Sequence, residues 1–249
     1  MSRQPLLDNL TRLHLSAFRK ALQEQLSNPQ YEELSFEDRL SLLVDQECQQ
    51  RDHNRIQRRI KQAHFHQTAL VEDIDFSPER GFQRNQIMQL AQDTWIQKSL
   101  NLIISGPTGA GKTFMACALG RSACQQDRSV RYFRMPRFFQ ALKHAKLDGS
   151  YSRLLNSLAK SDLLIFDDWL RDTISLADAQ DLLDILDDRY GRSSTMLVSQ
   201  LPVQDWHLRF PDPTLADAIL DRLVHNAYRI ELSGDSQRKS RADMHISST

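Results

Sequence analysis

The run Gly106-Pro107-Thr108-Gly109-Ala110-Gly111-Lys112-Thr113 has the spacing G-x-x-x-x-G-K-[ST]. It follows an apolar triplet, Leu102-Ile103-Ile104, and opens a helical pattern that starts at Lys112. These residue types suit a polyphosphate. Glycines let the backbone close around anionic oxygens, and the free N–H groups of a starting helix point at them. Lys112 neutralises β and γ charge, and the Thr113 hydroxyl is offered to magnesium. Pro107, Thr108, Ala110 and, one residue on, Phe114 complete the expected cradle. A glycine turn arising by chance would not carry a strand before it and a helix after it.

The other half of such a site is an apolar strand that ends in acid, and Leu163-Leu164-Ile165-Phe166-Asp167-Asp168 supplies one. Asp167 is placed to hold magnesium, directly or through a water, and Asp168 to orient and activate an attacking water. Asp168 is equally the residue type that caps a helix. Nothing in the chain matches the base-reading N-K-x-D pattern of GTPases, so ATP is the expected nucleotide.

The elements that must position these groups follow from the hydrophobic period. Leu6, Leu10, Leu13, Ala17 and Ala21 repeat at helical spacing until Ser27-Asn28-Pro29, which predicts one helix over 6–26. A second long helix is predicted from Phe36, with Ser35 as N-cap, to about residue 66. No strand pattern occurs before residue 100. The segment 71–78 has the character of a linker, and 81–98 that of a helix. From residue 100 short apolar runs (102–104, 130–133, 163–166, 196–198) alternate with helical patterns (112–126, 136–147, 175–190, 214–226). That alternation predicts an α/β fold, a P-loop NTPase with a parallel sheet flanked by helices. A small all-α N-terminal domain over 1–70 and a nucleotide-binding domain over 71–249 are expected.

Composition bounds the rest. The chain has 249 residues, and Lys+Arg and Asp+Glu both number 32, so attraction to nucleic acid must come from local patches. Its three cysteines, Cys48, Cys117 and Cys124, form no C-x-x-C pair, which suits a reduced, cytoplasmic protein with buried thiols. No apolar run approaches the roughly 20 residues that span a bilayer, so no membrane association is expected. His53, His64 and His66 lack metal-ligand spacing, and Trp95, Trp169 and Trp206 are expected to pack.

From Asn101 onward the blocks GPTGAGKTF (106–114), LLIFDDWL (163–170), LLDILDDRYGRSST (182–195), SQLPVQDW (199–206) and DPTLADAILDRLVHNAYRIELSGDSQRK (212–239) occur in one order. In these the chain resembles the AAA+ ATPases of the IstB type, transposition helpers of insertion sequences, and more distantly the DnaC helicase loaders. Leu170 departs from the pattern, which has glycine there. The resemblance implies an AAA+ fold in which ATP lies between subunits. It also implies that Arg222, in Asp221-Arg222-Leu223, is an arginine finger reaching a neighbour's γ-phosphate, where a guanidinium stabilises developing charge. Read from its own neighbours, Arg222 could instead form a surface pair with Asp217 or Asp221. Gln200 matches a polar sensor near the γ-phosphate, and Arg238 a second sensor reaching the nucleotide in the same subunit.

The densest basic stretch, RDHNRIQRRIK (51–61), would place Ile56, Ile60 and Ala63 on one helical face. Arg55, Arg58, Arg59 and Lys61 would then lie outside it, suited to phosphate backbone contacts or to solvent. A second basic set is Arg128, Arg131, Arg134, Arg137, Lys143 and Lys146, in a region that the resemblance turns towards DNA. The acidic helix carrying Asp178, Asp181, Asp184, Asp187 and Asp188 is expected to face solvent or a neighbour. The expected function is an ATP- and magnesium-dependent ATPase that assembles on double-stranded DNA, deforms it and recruits a cognate transposase. Its rivals are a helicase loader on single strands and a nucleotide-gated binding module without useful hydrolysis.

Overall fold

The computed structural model describes residues 4–234. The chain divides into two compact units, and the division falls between Arg58 and Arg59, ahead of the expected boundary near residue 70.

The first unit is helical. In place of one helix over 6–26 there are two, α1 (Gln4–Arg12) and α2 (Ser16–Ser27). The chain turns at His14, whose φ of 56° is left-handed and ends the helical hydrogen bonding. A short 3-10 turn, Pro29–Glu33, leads to α3 (Phe36–Ala63). Ser35 starts α3 as expected: its Oγ accepts the Asp38 N–H at 3.1 Å and donates to the Asp38 carboxylate at 2.7 Å. The start of α2 has no such cap from its own Leu15. Glu47 of α3 substitutes, with Oε2 accepting the N–H groups of Ala17 and Phe18 at 3.0 Å each and Oε1 held by Arg51 Nε at 2.8 Å. A carboxylate against a helix N-terminus is favoured by the dipole as well as by these donors.

The second unit is a five-stranded, all-parallel sheet in the order β2-β3-β4-β1-β5. Its strands are β1 (Asn101–Ser105), β2 (Val130–Arg134), β3 (Leu163–Asp167), β4 (Ser194–Ser199) and β5 (Ala227–Glu231). Alternate residues feed two cores. Leu102, Ile104, Leu163, Ile165, Met196 and Val198 face one, with Met115, Ala116, Leu119 and Ala123 of helix α6 (Lys112–Gln125). Ile103, Leu164, Phe166 and Leu197 face the other, against helices α7 (Met135–Leu147), α9 (Leu176–Arg189) and α10 (Pro213–Val224). Two short helices, α4 (Arg84–Leu90) and α5 (Thr94–Gln97), replace the single helix expected over 81–98, broken at Asp93 with φ 54°. A helix after α7, α8 (Tyr151–Ala159), and strand β5 had no counterpart in the sequence pattern. The last turns of α3 enter the first core: Ala63 is fully buried and Ile60 packs beside it.

The tryptophans do pack: Trp169 and Trp206 are fully buried with ring centroids 5.8 Å apart, and Trp95 is 2% exposed. Cys117 and Cys124 are buried and Cys48 is exposed. Burial pushes the Cys117 thiol up to about 11 and the Cys124 thiol up to about 12. Arg189 is 1% exposed, and it donates to the carbonyls of Leu158, Ser161 and Ser194, closing the ends of α8 and α9 over the start of β4. Desolvation lowers its guanidinium to about 10. No helix among the described residues is long and apolar enough to cross a membrane.

Glu47 carries a measurable consequence. The two N–H donors and Arg51 lower its carboxyl below the ordinary value, so its contribution is present above the unfolded glutamate pKa and is lost as pH falls through the folded one. Glu47→Gln, followed by urea denaturation with circular dichroism, is expected to destabilise the helical unit by about 1–2 kcal/mol at neutral pH. The difference from wild type should vanish in acid.

Candidate nucleotide site

The loop between β1 and α6 meets the requirement for close backbone approach. Gly106 has φ 141°, and a Cβ there would stand 2.3 Å from the Leu232 carbonyl oxygen, so only glycine fits. The Lys112 side chain is nearly buried and its Nζ donates to the carbonyls of Gly106 and Pro107 at 2.7 Å each. Gly109, Gly111 and Thr113 join Thr108, Lys112 and Phe114 in lining a cleft of about 350 Å³, a size suited to a nucleotide's phosphates. Ala110 is buried beneath the loop.

Parallel register brings the acids to the same edge. β3 lies two strands from β1 in the sheet, and Asp167 ends β3 beside Arg134 at the end of β2. Asp167 Oδ2 accepts the hydroxyls of Thr113 at 2.8 Å and Tyr132 at 2.6 Å, while Oδ1 accepts the Asp168 N–H at 2.8 Å. Thr113 and Asp167 fit magnesium: both are hard oxygen ligands, and by giving its proton to Asp167 the Thr113 oxygen keeps its lone pairs for a cation. Asp168 also lines the cleft, and its Oδ2 accepts from Arg134 Nε at 2.9 Å and Nη2 at 2.7 Å. It caps no helix; a guanidinium holds it.

Leu170 explains the glycine expected at its position. Both Asp168 (φ 56°) and Leu170 (φ 49°) are left-handed, a conformation costing about 1–2 kcal/mol for a residue with a side chain. Leu170 is 1% exposed in the second core, and burial of that side chain offsets the cost by about 1.5–3 kcal/mol. Trp169 N donates to the Val198 carbonyl at 2.8 Å and Ser199 Oγ to the Trp169 carbonyl at 3.0 Å, which fixes the turn to β4.

Gln200, just past β4, lines the cleft, and its Oε1 accepts from Thr108 at 2.8 Å. Arg222 does not line the cleft of its own chain: it donates to Asp187 of α9 and to the Ala218 carbonyl. Asn101 Nδ2 donates to the carbonyls of Arg222 and Leu223 at 3.0 and 3.2 Å, tying the end of α10 to the start of β1. Arg238 lies outside the described residues. Sequence reasoning missed Tyr132, Arg134, Arg171, His66 and Gln67 as cleft or acid-holding residues. Only Tyr132 left a signal, a phenol inside an apolar strand that must find a partner.

The basic residues are engaged to different degrees. Arg55 pairs with Asp52 and Arg59 with Asp127, each at 3.0 Å. Arg58, Lys61 and Arg137 are exposed. Lys143 approaches Asp178 at 3.5 Å and Lys146 meets Asp181 at 2.6 Å, so part of the acidic face of α9 is neutralised within the unit. Arg128 is held by Asp93 at 2.6 Å and Arg131 by the Gln62 carbonyl at 3.2 Å.

A glycine-rich loop, a lysine and a strand-end aspartate on a 2-3-4-1-5 parallel sheet define a P-loop nucleotide-binding protein of the AAA+ class. The solved structures with this fold include DnaI (TM-score 0.57, 23% identity, 68% of this chain and 90% of that one). They also include the DnaC helicase loader (TM-score 0.52, 18% identity, 60% and 88%). The model of the IstB-like ATP binding protein family matches residues 8–244, and the chain belongs to that family. An insertion sequence ATP-binding protein of Sinorhizobium fredii, y4pL, is 46% identical over 96% of this chain and 98% of its own length. The insertion sequence IS21 ATP-binding protein of Pseudomonas aeruginosa is 32% identical over 94% and 87%. The protein is therefore an ATP-binding AAA+ protein.

Lys112→Ala removes the ammonium that lines the cleft. It is expected to weaken binding of a fluorescent ATP analogue at least about 100-fold, read by anisotropy, with the thermal unfolding midpoint little changed.

Proposed function

We propose that this protein is a transposition ATPase: with ATP between subunits it assembles on double-stranded DNA, deforms it, and recruits and stimulates the transposase of its insertion element. Hydrolysis then releases the assembly. The observation that carries the reading is the division of labour around the cleft. Lys112, Thr113, Asp167, Asp168 and Gln200 converge on it, whereas Arg222, at the end of a helix anchored to β1, is turned elsewhere in its own chain. An arginine so placed suits supply in trans, where it would stabilise charge on a neighbour's γ-phosphoryl group once released from Asp187.

In hydrolysis Asp168 would orient the water and accept its proton after leaving Arg134, and Gln200 would hold the water or the γ-phosphate. Magnesium, when bound through Thr113 and Asp167, supplies neutralisation of phosphate charge. Arg238 is the proposed second sensor. Arg55, Arg58, Arg59, Lys61, Arg137, Lys143 and Lys146 are the proposed phosphate-backbone contacts, which give affinity without base readout. Bending would cost on the order of a few kcal/mol per site and is offset by contacts repeated along the assembly. A cytoplasmic location follows from this role.

The test is binding of labelled duplex and single-stranded DNA of equal length, with ATP, ADP or no nucleotide, at one fixed salt concentration. ATP-dependent preference for duplex is expected. Preference for single strands would favour a helicase loader, and binding indifferent to nucleotide would break the link between site and assembly. Arg222→Ala is expected to bind ATP normally and to lose about 10³-fold in DNA-stimulated phosphate release; normal turnover would remove its trans assignment.

A further inference from the structure

Tyr132 has no part in the chemistry described so far, yet it touches the group on which that chemistry depends. Its hydroxyl donates to Asp167 Oδ2 at 2.6 Å, the oxygen that also accepts from Thr113 at 2.8 Å. The side chain is 6% exposed, inside the first core. A phenylalanine would fill the same volume, so the hydroxyl in this apolar strand is explained by its partner. An aspartate carboxylate turns freely about its last torsion, whose energy wells are broad. Two hydroxyls on one oxygen and the Asp168 N–H on the other remove that freedom.

The tyrosine ring is itself held. Phe65, in the segment leaving α3, stands edge-on to it with centroids 6.4 Å apart. Phe65 occupies space that Gly120 of α6 leaves open: a Cβ there would lie 2.6 Å from a Phe65 ring carbon and 2.8 Å from Ile165. Glycine in the middle of a helix costs about 1 kcal/mol relative to alanine, and here close packing of this segment requires it.

We propose that Tyr132 is a positioning residue for the metal carboxylate. It fixes Asp167 in the orientation that, with Thr113, receives the magnesium accompanying a nucleoside triphosphate, and Phe65 holds the Tyr132 ring in place. The inference rests on the nucleotide site proposed above. Partners that orient a metal ligand typically govern metal affinity by about 10–100-fold.

The experiment uses the full chain and an N-methylanthraniloyl ATP probe, whose affinity is measured in EDTA and across a magnesium titration. Tyr132→Phe is expected to raise the half-effective magnesium concentration about tenfold or more while leaving affinity in EDTA unchanged. Phe65→Ala should shift it in the same direction by less, and Phe65→Leu should restore it. An unchanged magnesium midpoint in Tyr132→Phe, or an equal loss of affinity with and without magnesium, would overturn the positioning role. A wild-type midpoint in Phe65→Ala would overturn the part assigned to Phe65. Lys112→Ala separates the two levels: if it loses the probe while Tyr132→Phe behaves as wild type, only the positioning claim falls. Retained binding in Lys112→Ala, or no response of the wild type to magnesium, overturns the nucleotide reading beneath it.

Discussion

A carboxylate buried at the end of a central strand is the constraint around which the α/β unit is arranged. Asp167 is 3% exposed on a strand whose other residues are wholly buried. Such a charge is tolerated only when donors replace the water it has lost. They come from three different places: Thr113 at the start of α6, Tyr132 on the neighbouring strand, and the backbone of Asp168. The P-loop, β2 and the turn after β3 are thereby referred to a single point. Parallel pairing makes this possible, because it brings the C-terminal ends of β1, β2, β3 and β4 to one edge of the sheet.

Charge is managed differently at the opposite edge. Arg189 is buried with carbonyl oxygens as its acceptors, and these close helix ends and the start of β4. Asn101 does related work at the start of β1, where one amide satisfies both α10 carbonyls and the Thr195 N–H. The floor of the sheet is built from neutral and positive donors to backbone oxygen, and its upper edge gathers carboxylates, hydroxyls and the lysine that face the cleft.

Much of this was legible in the chain because the determinants are local. Strand runs buried on both faces are continuous stretches, and β1, β3 and β4 announce themselves that way, while the edge strand β2 still shows its buried Val130 and Tyr132. β5 does not: only Ile230 of its five residues is buried, so an edge strand with arginine and glutamate lacks the signal. The spacing over 6–26 and over 81–98 each has the pattern of a single helix because apolar positions persist across a break made by one left-handed residue, His14 or Asp93. The P-loop and Asp167 could be found from spacing. Arg134, His66 and Gln67 could not, since their place in the cleft arises from tertiary register and not from neighbours in sequence. Lys143 and Lys146, read as a basic patch, meet acids of α9 more than thirty residues away, at 35 positions' separation for Lys146 and Asp181.

The distribution of thiols gives the molecule a chemical clock on each of its two units. Cys48 is exposed on α3 within the helical unit, whereas Cys117 and Cys124 lie inside α6 with burial holding both in the unreactive thiol form. A small alkylating reagent therefore meets one cysteine in the native protein and reaches the other two only through transient opening of the α/β core. The order and rate of alkylation separate fraying of that core from events in the helices before it, in an unaltered chain and without a spectroscopic label.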